Sequence, residues 1–326
     1  MVGVRILNIA SYLPEKVLTN ADLEKMVETS DEWIVERTGI KERRIASPGE
    51  STSDLAYNAA SKALAKSHIK PEELDAIIVA TASPDYLFPA TSCIVQSKLG
   101  ATNAMCFDVE AACPGFIYAL EIARGLLSLP NYKYILVIGA ETLSRLVDWA
   151  DRNTCVLFGD GAGAAIVTKD DSDSEIISSY MRGNGELHHL LILPGGAARK
   201  PASYDTLNNQ EHFIKMQGKE VFKYAVTGMQ EAALKVLESA GLTPQEIDWL
   251  VPHQANIRII EATRERLGIE TSKVFINIER TGNTSAASIP IALAEMDEKG
   301  LLKRGQKILL VSFGAGFIYG ALLLKW

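Results

Sequence analysis

The chain has 326 residues, 47% hydrophobic and 22% charged, enough for one large or two medium domains that need no disulfide or structural metal. Its formal net charge of −7 excludes a general nucleic-acid-binding role. Its four cysteines, Cys93, Cys106, Cys113 and Cys155, form no Cys-x-x-Cys pair and no Cys/His group with metal spacing, so free thiols, a reducing compartment and no metal site are expected.

The first stretch, MVGVRILNIASYLPE, carries Arg5 inside its apolar run and reads as a strand, not a targeting signal. No apolar run is long enough to span a membrane, so a cytoplasmic protein with no membrane partner is expected. A helix over Leu55–Lys66 precedes a strand at Ala76–Ala80, which is apolar without alternation and therefore buried on both faces. The next segment, TASPDYLFPATSCIVQ, places Tyr86, Leu87 and Phe88 between two prolines, three large apolar groups in a loop, which points to an interface. The competing reading is that Phe88 plugs its own core.

Residues 108–123, DVEAACPGFIYALEIA, read as a strand end, a cysteine, Pro-Gly and a helix over Phe116–Leu127. Cys113 is expected at the N-cap with Pro114 at N1, where a missing N–H costs nothing. The helix terminus then favours thiolate, and Gly115 leaves room for a substrate. A small, inert core cysteine is the other reading. A second buried strand is expected at Ile135–Ile138 and a polar linker at KDDSDSE (169–175).

Beyond the linker the chain repeats itself. ALAKSHIKPEELDAIIVATAS (63–83) matches VLESAGLTPQEIDWLVPHQAN (236–256), with Pro71 on Pro244 and Asp75 on Asp248, both 173 positions apart. MCFDVEAACPG (105–115) parallels VFINIERTGNT (274–284), and YILVIGAE (134–141) parallels KILLVSFGAG (307–316). Two α/β halves follow, residues 1–172 with the cysteine elbow and 173–326. Helices are expected over Val221–Ala240 and Ala286–Lys299. The second, AASIPIALAEM, is apolar nearly all round and is expected between two sheets, which gives five layers, α-β-α-β-α, about a pseudo-twofold axis.

Three more features stand out in the second half. His253 leaves a strand at Asp248–Val251, a position suited to a cleft or to a satisfied structural histidine. Asn283, in RTGNTSAASIP, starts a helix opposite Cys113 in the repeat, and is equally an ordinary cap. VSFGAGFIYG (311–320) is a glycine loop between strands, either a tight turn or a backbone donor to an oxyanion.

The cysteine elbow, His-Gln-Ala-Asn after a strand, Gly-Asn-Thr-Ser before a helix and a terminal Gly-x-Gly, in that order on a duplicated frame, resemble the condensing enzymes of the thiolase superfamily. Within it the chain resembles most closely the β-ketoacyl-acyl-carrier-protein synthase III family, which initiates dissociated fatty acid synthesis. TSDEWIVERTGIKERRIA (29–46), FGDGAGAAIV (158–167) and GKEVFKYAV (218–226) carry the likeness across the chain.

The resemblance implies a duplicated thiolase-like α/β fold with Cys113, His253 and Asn283 as catalytic trio. Backbone N–H groups of Cys113 and Gly316 would form the oxyanion hole; Gly314-Ala315-Gly316 departs from three glycines, and Pro114 stands where small residues are common. An acyl-CoA is the implied substrate, with no permanently bound cofactor. Trp33 would stack on adenine with Arg152 on its other face, Arg37 would meet the phosphates, and Phe222 and Asn256 would line the pantetheine passage.

The implied partner is an acidic acyl carrier protein, docked on Arg258, Arg264, Arg266 and Lys223, with Lys215 and Lys219 nearby. A homodimer is implied, with Phe88 reaching the neighbour's acyl pocket. A degradative thiolase needs a second cysteine in the C-terminal glycine loop, and none follows Cys155. The elongating synthases carry histidine where this chain has Asn283. A polyketide-, quinolone- or hydroxymethylglutaryl-CoA-type synthase keeps Cys-His-Asn and is the alternative.

Overall fold

The computed structural model describes residues 3–326; Met1 and Val2, the head of the expected first strand, lie outside them. One five-stranded sheet runs, in spatial order, Gly3–Tyr12, Asp160–Asp170, Tyr134–Thr142, Ala76–Ala80 and Met105–Val109. A four-stranded sheet runs Trp249–Pro252, Lys307–Gly314, Ile318–Lys325 and Glu175–Gly183. Ala76–Ala80 is parallel to both of its neighbours and Trp249–Pro252 is parallel to Lys307–Gly314; the other pairings in the two sheets are antiparallel.

The unalternating strands are buried on both faces because different helices cover each. Ile78 and Ala80 point into a central layer, whereas Ile77 and Val79 meet the outer helix Thr52–Ser67. Leu310 points into the same central layer from the other sheet, and Leu309 and Val311 pack outward on Gly218–Ser239 and Ile257–Leu267. The central layer is built by Gly115–Leu127 and Ser288–Glu298, whose Phe116, Ile117, Ile289 and Leu293 are fully or almost fully buried. The five layers are those expected from the apolar helix AASIPIALAEM.

The repeat has a backbone cause. Asp75 Oδ2 accepts from the amides of Lys133 and Tyr134 at 2.6 and 2.9 Å, and the Asp75 amide donates to the Tyr134 carbonyl. Asp248 Oδ2 accepts from the Lys307 amide at 2.8 Å, and its own amide donates to the Lys307 carbonyl. Each aspartate pins the start of the neighbouring strand in its half, and Pro71–Glu73 and Pro244–Glu246 form matching single turns just before.

The halves diverge at one place. Residues 274–284 match a strand-and-elbow segment in sequence, yet in place of a ladder two isolated bridges form there, Leu250 to Val274 and Phe158 to Asn283. The side chain of Gln254 takes over the backbone bonding that a strand would have used. Its Oε1 accepts from the amides of Asn277 and Ile278, and its Nε2 donates to the carbonyls of Pro252 and Phe275. The helix expected from Ala286 begins instead at Ser288, after a single turn over Ser285–Ala287.

Candidate active site

The elbow is tighter than expected. Ala112 adopts φ +40°, and the Gly115 amide donates back to the Ala112 carbonyl at 2.9 Å. Pro114 therefore caps the helix and Gly115 is its first residue, so Cys113 stands one position outside the cap. Gly115 makes room for protein, not substrate: a Cβ there would lie 3.0 Å from Ala80 Cβ and 3.4 Å from Ala286 Cβ. Gly314 is placed likewise, since a Cβ would sit 2.8 Å from the Cys113 amide nitrogen.

The thiol itself is not ionised. Burial pushes the Cys113 thiol up to about 12, the nearby Glu141 and Glu110 carboxylates add to the effect, and a contact with the Ser285 hydroxyl opposes it. The expected thiolate is therefore not the resting form; desolvation outweighs a helix terminus one residue away.

His253 ends the strand Trp249–Pro252, and its amide donates to the Val311 carbonyl at 2.8 Å. Burial pushes its imidazole down to about 3, so it is neutral. Its Nδ1 lies 2.7 Å from Ser288 Oγ, which also faces the Gln254 amide at 3.4 Å. A hydroxyl that accepts from that amide has its own proton to give Nδ1, which leaves the hydrogen on Nε2. Asn283 is fixed in the same manner: its Oδ1 accepts from the Ser285 amide at 2.9 Å, and so Nδ2 is left to face outward.

Cys113, His253 and Asn283 line one cavity of about 680 Å³, buried at their end and reaching the surface at Trp33, Arg37, Phe222, Asn256 and Arg258. The guanidinium groups of Arg37 and Arg152 lie 4.8 and 5.2 Å from the Trp33 ring centroid. Arg152 is held there by donating to the Glu28 carbonyl at 2.8 Å, and it is not part of the lining. Asn256 caps Ile257–Leu267 through the Arg258 amide and ties it to Arg37 by donating to that residue's carbonyl. Phe158, Met216 and Val221 supply apolar wall.

Of the remaining expected residues Lys219 reaches this cavity and the others lie apart from it. Gly316, at φ +126°, is outside the lining, which the glycine loop reaches through Gly314. Arg264 is tied to Glu261, Glu265 and the Ile269 carbonyl, and Arg266 reaches Gln230. Lys219 lines the mouth; Lys223, one turn along the same helix, is exposed. Phe88 is 85% exposed and plugs no core of its own chain.

Four contributors escaped the sequence reading: Gln254, Ser285, Ser288 and Glu141. Gln254 and Ser285 lay inside the His-Gln-Ala-Asn and Gly-Asn-Thr-Ser motifs, and Glu141 had a signal of its own, an acid closing the otherwise apolar strand YILVIGAE.

Two family models match the chain, 3-oxoacyl-[acyl-carrier-protein] synthase III over residues 107–185 and its C-terminal counterpart over residues 237–326. The chain is 55% identical over its whole length to the β-ketoacyl-[acyl-carrier-protein] synthase III of Caldanaerobacter subterraneus, 98% of which is covered. It is 52% identical to that of Clostridium acetobutylicum, again over all of this chain and 99% of the relative. The crystal structure of 3-oxoacyl-[acyl-carrier-protein] synthase III from Aquifex aeolicus superposes with a TM-score of 0.92 at 50% identity, covering 99% of this chain and 100% of that one. The priming β-ketosynthase of the R1128 polyketide pathway superposes at 0.90 with 35% identity, covering 99% and 96%.

Proposed function

The chain belongs to the β-ketoacyl-[acyl-carrier-protein] synthase III family, and we propose that Cys113, His253 and Asn283 are the groups with which it condenses a primer and an extender. It is an acyltransferase of the condensing type that initiates fatty acid synthesis. The observation that carries the residue assignment is the meeting of one thiol and two neutral, oriented N–H donors in a single cavity.

In the first stage the Cys113 sulfur attacks the thioester carbonyl of an acyl-CoA, a C–S bond forms, and the bond to coenzyme A breaks. The oxyanion is held by the Cys113 amide and by an amide of the 314–316 turn, for which Gly316 is the residue implied by the resemblance and Gly314 the one that packs on Cys113. In the second stage malonyl on acyl carrier protein loses CO2. His253 Nε2–H and Asn283 Nδ2–H donate to the thioester oxygen as it becomes an enolate. Neutral donors suit this step because they stabilise the charge without protonating the carbanion. The enolate carbon attacks acyl-Cys113, giving 3-ketoacyl carrier protein and free cysteine.

The outer cavity suits the coenzyme A arm. Trp33 offers a stacking face, and Arg37 offers charge for phosphate. An adenine on Trp33 beneath Arg152 requires that guanidinium to lift away, because 5.2 Å leaves no space for an intervening ring. No permanent cofactor is needed. For the acidic carrier protein, Arg258 and Lys219 at the mouth, with Lys223 exposed one turn further along the helix, form the docking rim, whereas the ion pairs of Arg264 disfavour it. The two halves, 1–172 and 173–326, contribute the nucleophile and the two donors respectively, and the working unit is a homodimer in the cytoplasm.

The test is intact-protein mass spectrometry after mixing with acetyl-CoA. Wild type gains one acetyl group, and Cys113→Ser gains none, because an alcohol lacks the nucleophilicity of the thiol. Acylation that persists in Cys113→Ser, on Cys93, Cys106 or Cys155, overturns the assignment.

A further inference from the structure

The outer cavity wall and Asn283 come from distant parts of the chain, and one side chain reaches the supports of both. Arg43 lies on the short strand Glu42–Ile45, which pairs with Lys16–Thr19 apart from the two main sheets. It is completely buried. Among the described residues its partners are three neutral oxygens and no carboxylate. Nη1 donates to Asn20 Oδ1 at 2.8 Å and to the Leu18 carbonyl at 3.2 Å, and Nη2 donates to the Val156 carbonyl at 2.8 Å. Burial pulls the guanidinium down to about 10, which leaves it cationic at neutral pH. A buried cation with no counter-ion is a costly way to fill a core, so its use has to be sought in what its hydrogen bonds hold.

The outer arm leads to the wall assigned to coenzyme A. Asn20, itself buried, passes the contact on: its Nδ2 donates to Asp31 Oδ1 at 2.8 Å and to the Ile40 carbonyl at 2.7 Å. These two acceptors lie at either end of the helix Asp31–Thr38, which carries Trp33 and Arg37. The inner arm leads to Asn283. Val156 lines the cavity together with Leu157 and Phe158. The Asn283 amide donates to the Leu157 carbonyl at 2.8 Å, and the Gly159 amide donates to the Asn283 carbonyl at 3.0 Å. The root of Arg43 fills the seam between these two segments. A Cβ on Gly159 would lie 3.1 Å from Arg43 Cβ, and one on Gly282, at φ +63°, would lie 3.0 Å from it.

We propose that Arg43 is a positioning residue that braces the coenzyme A wall and the Asn283 backbone against each other, through Asn20 on one side and the Val156 carbonyl on the other. It touches no reacting atom. A planar fork suits this task, because two nitrogens hold two acceptors at a fixed angle, whereas an ammonium is a single point on a flexible stem. The positive charge strengthens both hydrogen bonds, since each acceptor is a neutral oxygen facing an ionised donor. The substrate arm bound at Trp33 and the donor on Asn283 are thereby kept in one register.

The inference rests on the reading of Asn283 as enolate donor and of Trp33 and Arg37 as coenzyme A wall, so the two arms are read separately. Release of labelled CO2 from saturating malonyl carrier protein and coenzyme A affinity by calorimetry are measured for five proteins. These are wild type, Arg43→Lys, Asn20→Ala, Asn283→Ala and the double variant of Arg43→Lys with Asn283→Ala. Arg43→Lys keeps the charge and loses the fork. It should release CO2 ~10²-fold more slowly, the loss that a displaced reacting group brings. It should also bind coenzyme A about tenfold more weakly, as for one lost hydrogen bond. Asn20→Ala cuts the outer arm alone, so it should share the loss in coenzyme A affinity and release CO2 within about twofold of wild type. The double variant should be no slower than Asn283→Ala, because Arg43 acts on this step through that side chain. General damage to the fold would instead multiply the two losses.

Wild-type values of both readouts in Arg43→Lys, losses that multiply in the double variant, or unchanged coenzyme A affinity in Asn20→Ala would each overturn the brace. Wild-type CO2 release by Asn283→Ala would overturn the donor reading and the inner arm with it, and the outer arm would then stand or fall on coenzyme A affinity. If Arg43→Lys fails to fold, Asn20→Ala decides by the split between its two readouts.

Discussion

At the scale of single residues the site is a set of hydrogens placed by neighbours. Ser288 selects the histidine tautomer and the Ser285 amide selects the asparagine rotamer, so both donors point at the same space before any substrate arrives. His253→Ala and Asn283→Ala should therefore slow decarboxylation by ~10²–10³-fold while acylation falls much less, because one oriented donor to a developing oxyanion has about that worth. Release of labelled CO2 from malonyl carrier protein and acyl-enzyme formation separate the two steps. Equal losses in both would mean that these side chains build the acylation site instead. The identity of the trio was legible in sequence because each member sits in a local motif. Its electrostatics were not. Whether Cys113 rests as thiol depends on how deeply the elbow is buried, and part of its cover, Gly314, arrives from about 200 positions away.

At the scale of elements, the repeat was readable wherever one residue does one backbone job. Asp75 and Asp248 keep their spacing because each must reach the first amides of the neighbouring strand. The buried strands and the central helix were readable because layers on both sides leave no place for a polar face. The missing strand at 274–284 was not readable, since a glutamine side chain replaced a ladder. Gln254 satisfies four buried backbone groups beside His253, and Gln254→Leu strands them all. At about 1–3 kcal/mol for each buried group left unpaired, partly relieved by relaxation, the variant should lose at least ~3 kcal/mol of stability. Chemical denaturation reads this as a lower midpoint at unchanged slope. A variant as stable as wild type would show that the segment holds its path without the side chain.

At the scale of the whole molecule, one chain leaves conspicuous work undone. Tyr86, Leu87 and Phe88 are 62%, 75% and 85% exposed, on a loop whose base is clamped to Glu141 through Thr81, Ala82 and Ser83. Beside this loop's own strand, Met105–Val109 forms an edge of the five-stranded sheet, with one row of backbone groups unpaired within the chain. A rigidly held apolar loop next to an open sheet edge is the form of a dimer surface, and the family resemblance assigns it to joined sheets about a twofold axis. Phe88 lies outside the lining of the cavity that holds Cys113, so an effect it has on the acyl pocket is to be exerted on a neighbour. Phe88→Ala should shift primer preference toward longer or branched acyl-CoA in direct competition, because it removes the ring that would close the neighbour's pocket. Hydrophobic pockets discriminate weakly between primers that differ by one methylene, so the shift should be on the order of 10-fold per methylene gained. Sedimentation of the variant and of wild type at micromolar concentration should give about twice the 35.5 kDa chain mass. A fully active wild-type monomer, or a Phe88→Ala dimer with unaltered primer selectivity, would remove Phe88 from the pocket and leave the loop as packing alone.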